Sequence, residues 1–164
     1  MEEITFRFAN LNEIPALCRL RLAYFADDFG VLPENTLNEI NKQLPDYFAA
    51  HLGRDCIAPI AVSPDGTVCA CALLITEEKP ANPFFPNGKS GTVLGVYTMP
   101  EYRHRGCASK VMRMLIDWAK VHEISIIRLS ATNEGRFVYE QLGFTVKEHR
   151  YTDMELQLWE QSSN

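Results

Sequence analysis

The densest cluster of chemically useful residues is Pro100-Glu101-Tyr102-Arg103-His104-Arg105-Gly106-Cys107-Ala108. It lies between a β-rich run ending at Thr98 and an amphipathic run starting near His104. The first turn of a helix leaves backbone N–H groups without intrahelical partners, and its dipole end is positive. Such an end binds anions, phosphate above all. Gly106 has no side chain to block close approach, and Ala108 is nearly as small. Arg103 and Arg105 add charge and directed donors. The physical reading is a phosphate cradle, with a solvated basic turn as the plainer alternative. It is neither a Walker loop, which needs Gly-Lys-Ser/Thr, nor a dinucleotide fingerprint, which needs more than one Gly.

Other chemically suggestive residues are more isolated. Asp27-Asp28-Phe29-Gly30 has the letters of the kinase metal motif, but the chain lacks a His-Arg-Asp loop and a Gly-rich loop. Cys69 and Cys71 are two apart, a spacing that on a regular strand puts both on one side and makes no zinc pair. They read as core residues. Cys107, in a first helical turn beside Arg105, has surroundings that lower a thiol pKa. His51, His122 and His149 show no ligand spacing, and no metal site is expected.

The elements that must position these groups follow from periodicity. Ile4 to Phe8 alternates as a strand. Asn10 caps a helix that has Pro15 in its first turns and Leu11, Ile14, Leu17, Cys18, Leu22 and Phe25 on one face, and that stops at Gly30. A second helix starts after Pro33, capped by Asn35 or Thr36, and Pro45 should break it. Cys56 to Val62 is a strand with an edge or bulge at Pro59, and Pro64-Asp65-Gly66 turns it into Thr67 to Thr76. Glu77 to Gly91 is a Pro- and Gly-rich loop exposing Phe84 and Phe85. Thr92 to Thr98 is a strand, His104 to His122 a helix, Ser125 to Ala131 a strand and Glu134 to Gln141 a short helix. Phe144 to His149 and Thr152 to Leu158 read as a closing strand pair. The single helical crossover makes Thr92–Thr98 and Ser125–Ala131 parallel within a mostly antiparallel sheet.

Length and composition bound the rest. The 164 residues suggest one domain over 1–164, and apolar content of 46% argues against disorder. No apolar run is long enough to span a membrane, and the acidic, alternating start is not a signal peptide. The odd count of five Cys fits a reduced, cytoplasmic protein. A net charge of −5 argues against a nucleic-acid partner. That charge is uneven: residues 101–113 hold Arg103, Arg105, Lys110 and Arg113 against Glu101 alone. The basic stretch suits a polyanionic cofactor, and the acidic remainder is compatible with a cationic acceptor.

At the cradle the chain resembles the GNAT superfamily of acyl-CoA-dependent N-acyltransferases. Arg103-x-x-Gly106-x-Ala108 matches the family's Arg/Gln-x-x-Gly-x-Gly/Ala motif. Val96-Tyr97-Thr98-Met99-Pro100 is similar to its central strand, and Asn133 with Tyr139-Glu140-Gln141-Leu142-Gly143-Phe144 to its second conserved block. The resemblance implies an α/β (α+β) fold: a mixed, mostly antiparallel sheet of about six to seven strands flanked by about four helices. It implies that backbone N–H groups from Arg103 through His104, Arg105, Gly106, Cys107 and Ala108 to Ser109 hold the pyrophosphate of acetyl-CoA. The backbone of Tyr97, Thr98 and Met99 would pair with the pantetheine arm, and Asn133 would hydrogen-bond it. Tyr139 would protonate the leaving thiolate, although a Tyr on an amphipathic helix can equally pack on a core. Asp27 and Asp28, at the connection that often walls the acceptor pocket, would bind a cationic amine.

The expected activity is acetyl transfer from acetyl-CoA to a primary amine of a small molecule, by direct attack. A backbone N–H near the bulging end of the Thr92–Thr98 strand would polarise the carbonyl. That strand has no Asp or Glu, so the base is unassigned, with a water chain, Glu77 or Glu78 as candidates and exposed strand-end carboxylates as the plainer reading of either Glu. Two other readings stand beside this one: a non-catalytic acyl-CoA-binding module, motivated by the missing base, and an acetyltransferase acting on protein Lys or N-termini. The loop carrying Phe84 and Phe85 reads as a substrate, partner or homodimer contact.

Overall fold

A sheet with helices on both faces organises the chain. The computed structural model describes residues 3–160. β1 (Thr5–Phe8) and a 3-10 turn (Leu11–Glu13) precede α1 (Ile14–Phe29) and α2 (Glu34–His51). Next come β2 (Cys56–Ile57), β3 (Pro59–Val62), β4 (Val68–Glu78) and β5 (Lys89–Thr98). A second 3-10 turn (Pro100–Tyr102) leads to α3 (Cys107–Val121), β6 (Ile126–Arg128) and α4 (Arg136–Gln141). The sheet order is β1-β3-β4-β5-β6, with β2 also pairing with β4. Every pairing is antiparallel except β5 with β6, which is parallel as the single crossover requires.

β4 is the central strand and is buried on both faces. Cys71 and Leu73 meet α1 and α2 through Leu17, Leu20, Leu44 and Phe48. Ala72 and Leu74 meet α3 through Val111, Met112 and Leu115. The α3 stripe repeats at helical spacing, as expected. On α1 the buried pair is Leu17 and Leu20, with Tyr24 packed in line, whereas Leu11 is exposed. The apolar face therefore lies to one side of the expected Leu22–Phe25 line, because spacings of three and four from Leu17 lead through Leu20 to Tyr24.

Several local expectations are corrected. α2 continues through Pro45. An interior Pro costs a helix about 3 kcal/mol. Pro45 is exposed, while Leu44 and Phe48 are buried on either side of it. Burying two such side chains contributes about 1.5–3 kcal/mol each, enough to hold both halves on the core. The residue before α2 is Pro33, with no side-chain cap, so neither Asn35 nor Thr36 caps it. Asn10 caps the 3-10 turn ahead of α1, in a reciprocal box with Glu13. Pro59 opens β3, a first-residue position that a paired strand tolerates, and β3 is an interior strand.

The register slips at Cys69, since Val62 faces Val68 and Ala61 faces Ala70. This bulge reverses the alternation, so Cys69 packs with α3 and Cys71 packs with α1 and α2. The two cysteines face opposite sides, contrary to the expectation for a regular strand. Phe84 is exposed, but Phe85 is buried, with the Arg128 guanidinium 5.4 Å from its ring centre. Only Phe84 remains an exposed aromatic on that loop. Phe144–His149 and Thr152–Leu158 form no strand, and no backbone hydrogen bond ties residues 145–160 to the sheet. Val146, Met154, Leu156 and Leu158 are all exposed.

Candidate active site

β5 is paired along its length with β4 but with β6 only from Ser90 to Thr92. Beyond Thr92 the two parallel strands diverge, so the far edge of β5 is paired with no strand from Val93 onward. A cavity of about 420 Å³ fills the gap. Its walls are β5 on one side and Leu129, Ser130, Thr132 and α4 on the other. Tyr24 of α1 and Tyr139 of α4 line it, and the start of α3 forms one end.

The α3 end is built by the chain reversal after the 3-10 turn. His104 and Gly106 both have positive φ, 62° and 77°. The Gly at 106 meets a left-handed requirement that other residues resist. Among the described residues, the backbone N–H groups of His104 to Ser109 donate to no protein group, and the first α3 bond is Lys110 N–H to Gly106 C=O, 3.1 Å. No Cβ-sized obstacle lies within 4 Å of Gly106. Six consecutive free donors at a helix start are an arrangement that can hold an anion. The chemistry of this donor set fits a pyrophosphate.

Tyr97, Thr98, Arg103, His104, Gly106, Cys107, Ala108, Ser109 and Tyr139 all line the cavity. Met99 does not; its N–H donates to Cys69 C=O at 2.8 Å and its C=O accepts from Tyr102. Arg105 lies outside over the Tyr102 ring. Asn133 is exposed beside the cavity-lining Thr132 and Glu134. Asp27 and Asp28 are exposed and do not line the cavity. Asp27 instead accepts from Arg103 Nη2 at 3.0 Å, while Arg103 Nε donates to Thr98 C=O at 2.9 Å. This clamp ties the end of α1 to the mouth of the cradle, with the Arg103 guanidinium also 5.6 Å from the Tyr97 ring centre.

The free thiol at Cys107 behaves oppositely to the expectation from Arg105. Its pKa is raised, because burial outweighs the nearby guanidinium. Cys107 is a packing residue. Tyr139 is partly buried, with its ring set edge-on to Phe144 at 6.1 Å. Burial, followed by the neighbouring Tyr24, raises its pKa above the usual phenol range, so it remains a proton donor at neutral pH.

β5 has a second special feature. Tyr97 faces Cys71 and Leu94 faces Leu73, so Gly95 and Val96 together oppose Ala72. This is a β-bulge, and Gly95 has a positive φ of 57°. The bulge lies on the cavity wall. Glu77 forms an ion pair with Lys79 at 3.2 Å, and neither Glu77 nor Glu78 lines the cavity. Glu134 is the lining carboxylate among the described residues. Sequence reasoning missed Glu134 and Tyr24. Tyr24 was within reach, lying four residues after Leu20 on the buried α1 stripe. Among the described residues no group of three or more His, Cys, Asp or Glu is arranged to hold a metal ion, and no helix is long and apolar enough to cross a membrane.

The profile of the acetyltransferase (GNAT) family matches residues 16–144. A predicted acetyltransferase from Clostridium acetobutylicum, solved with acetyl-CoA, is 26% identical with a TM-score of 0.81, covering 93% of this chain and 96% of that one. A GCN5-related N-acetyltransferase from Ralstonia eutropha JMP134 is 21% identical with a TM-score of 0.78, over 93% and 99% of the two chains. Glucosamine-6-phosphate N-acetyltransferase from Arabidopsis thaliana is 18% identical with a TM-score of 0.65, again over 93% and 99%. These last two share the fold. No curated protein is significantly similar in sequence.

Proposed function

The chain belongs to the GNAT acetyltransferase family, and on that premise we propose that it transfers an acetyl group from acetyl-CoA to the primary amine of a small molecule, by direct attack in a ternary complex. The observation that carries this reading is one continuous cavity joining five residues of the free-donor run His104–Ser109, a strand edge and a protonated phenol. We take residues 1–164 as a single acetyltransferase domain.

Acetyl-CoA supplies the activated acetyl thioester when bound. The N–H groups of His104 to Ser109 hold its pyrophosphate, with the Arg103 and Arg105 side chains lending positive charge. The free edge of β5 at Tyr97 and Thr98 orients the pantetheine arm as an added strand, and Asn133 hydrogen-bonds it from the opposite wall. A backbone N–H at the Gly95–Val96 bulge polarises the acetyl carbonyl. The Tyr139 hydroxyl donates its proton to the departing thiolate. The amine proton leaves through water in the open cavity, past the carboxylate of Glu134. Asp27 acts indirectly by holding Arg103, while Asp28 offers negative charge to an approaching ammonium. Five unpaired cysteines support a cytoplasmic location. A homodimer would cover the exposed Phe84 and the exposed apolar residues after Gly143.

The test is the release of free CoA thiol from acetyl-CoA in the presence of a panel of primary amines. Tyr139→Phe is expected to lower kcat by about 100-fold or more, the usual contribution of a positioned acid. A Tyr139→Phe protein as fast as the parent would remove Tyr139 from the mechanism.

A further inference from the structure

Arg21 lies one turn ahead of the cavity-lining Tyr24 on α1 and packs beside Gly95 of the cavity wall, without itself lining the cavity. Its Nη1 is 2.8 Å from the point a Cβ on Gly95 would occupy, so the missing side chain at the bulge is what admits the guanidinium. The guanidinium carbon is 4.7 Å from the Phe25 ring centre and 5.9 Å from that of Tyr24. A guanidinium stacked this way uses its faces and leaves its in-plane N–H donors free.

Those donors have no partner. Among the described residues Arg21 makes no hydrogen bond and no ion pair, whereas Arg7, Arg103 and Arg136 each have a carboxylate. The other groups around it are Tyr47, Cys56 and Cys71, all neutral at pH 7, and burial is its dominant influence. A partly desolvated cation without a counter-charge is costly unless a ligand supplies one. The pyrophosphate is an unsuitable source, because the cradle begins beyond Thr98 while Arg21 stands at Gly95, near where the acetyl carbonyl would sit.

We propose that Arg21 binds an anionic group on the acceptor, so that the substrate is an amine that also carries a carboxylate or phosphate. The guanidinium fork pairs with either anion through two N–H donors. This assignment rests on the acetyl-transfer reading, and the test separates the two.

The experiment uses matched amines differing only in charge: 4-aminobutyrate against 4-aminobutanamide, and 2-aminoethyl phosphate against ethanolamine. The parent protein is expected to prefer the charged member of at least one pair by about 10-fold or more in kcat/KM, chiefly through KM, which is the scale of a charged hydrogen bond. The first pair reports a carboxylate specificity and the second a phosphate specificity. Arg21→Gln should bring that ratio close to one, and Arg21→Lys should give an intermediate ratio. Equal rates within both pairs, or an unchanged ratio in Arg21→Gln, would overturn the assignment and leave acetyl transfer standing. Calorimetric binding of 4-aminobutyrate and 2-aminoethyl phosphate to the CoA-loaded protein gives a readout independent of turnover. Binding to the parent that is lost in Arg21→Gln supports the assignment even if no amine is acetylated. Absence of binding by both compounds to the parent overturns it.

Discussion

Tyr139 shows how environment assigns a residue its chemistry. The same burial that packs its ring against Phe144 raises its pKa. A group whose pKa is raised holds its proton to higher pH, so the donor form persists above the ordinary phenol value of 10.0. The attacking amine must lose its own proton first. kcat/KM should therefore rise with pH towards the amine's pKa, with no falling limb from Tyr139 below pH 10. A falling limb beginning below about pH 9 would mean that the essential acid is another group, since an unperturbed or raised phenol has not titrated there. Cys107 shows the same rule with the opposite functional outcome. Arg105 pulls its thiol down, burial pushes it up, and burial prevails. Neither result is visible in residue order, because desolvation depends on contacts made across the sheet.

At the scale of elements, the sequence was most informative where one periodicity ran uninterrupted. The α3 stripe follows from local pattern and the parallel β5–β6 pair from the single crossover, whereas Gly106 was legible as room for close backbone approach and not as a left-handed turn. The bulge at Cys69 did not follow from local pattern, because a one-residue slip is set by pairing with a neighbour distant in sequence, and the bulging end expected of the Thr92–Thr98 strand could not be placed at Gly95 from residue order. That difference bears directly on the site: the cradle was legible in Arg103-x-x-Gly106-x-Ala108, whereas Arg21 was not, because its role depends on Gly95 in another element. Pro45 was misread for a related reason, since Leu44 and Phe48 hold α2 through tertiary packing. The closing segment is the largest divergence. Residues 152–158 alternate like a strand, yet no backbone hydrogen bond holds residues 145–160 to the sheet. Amide hydrogen exchange should accordingly be fast across 145–160 and slow in β4. Protection of 152–158 comparable to β4 would establish strand pairing there instead.

Across the whole molecule, the proposed cofactor cradle lies at the α3 start of the cavity and the proposed acceptor contact lies beside its Gly95 wall. The basic stretch 101–113 surrounds the α3 start, and the Asp27–Arg103 clamp ties it to α1. From α1, Arg21 and Tyr24 reach the bulge end. The net charge of −5 conceals this arrangement, because the basic stretch 101–113 sits within an otherwise acidic chain. The central claim is that the divergence between β5 and β6, closed by the start of α3, is the acetyl-CoA site. Titrating acetyl-CoA into the isotope-labelled protein while following backbone amide shifts tests it most directly. The largest shifts should fall on residues 104–109 and 94–98, with β1 and α2 little affected. Saturable binding that leaves residues 104–109 unmoved would contradict the account.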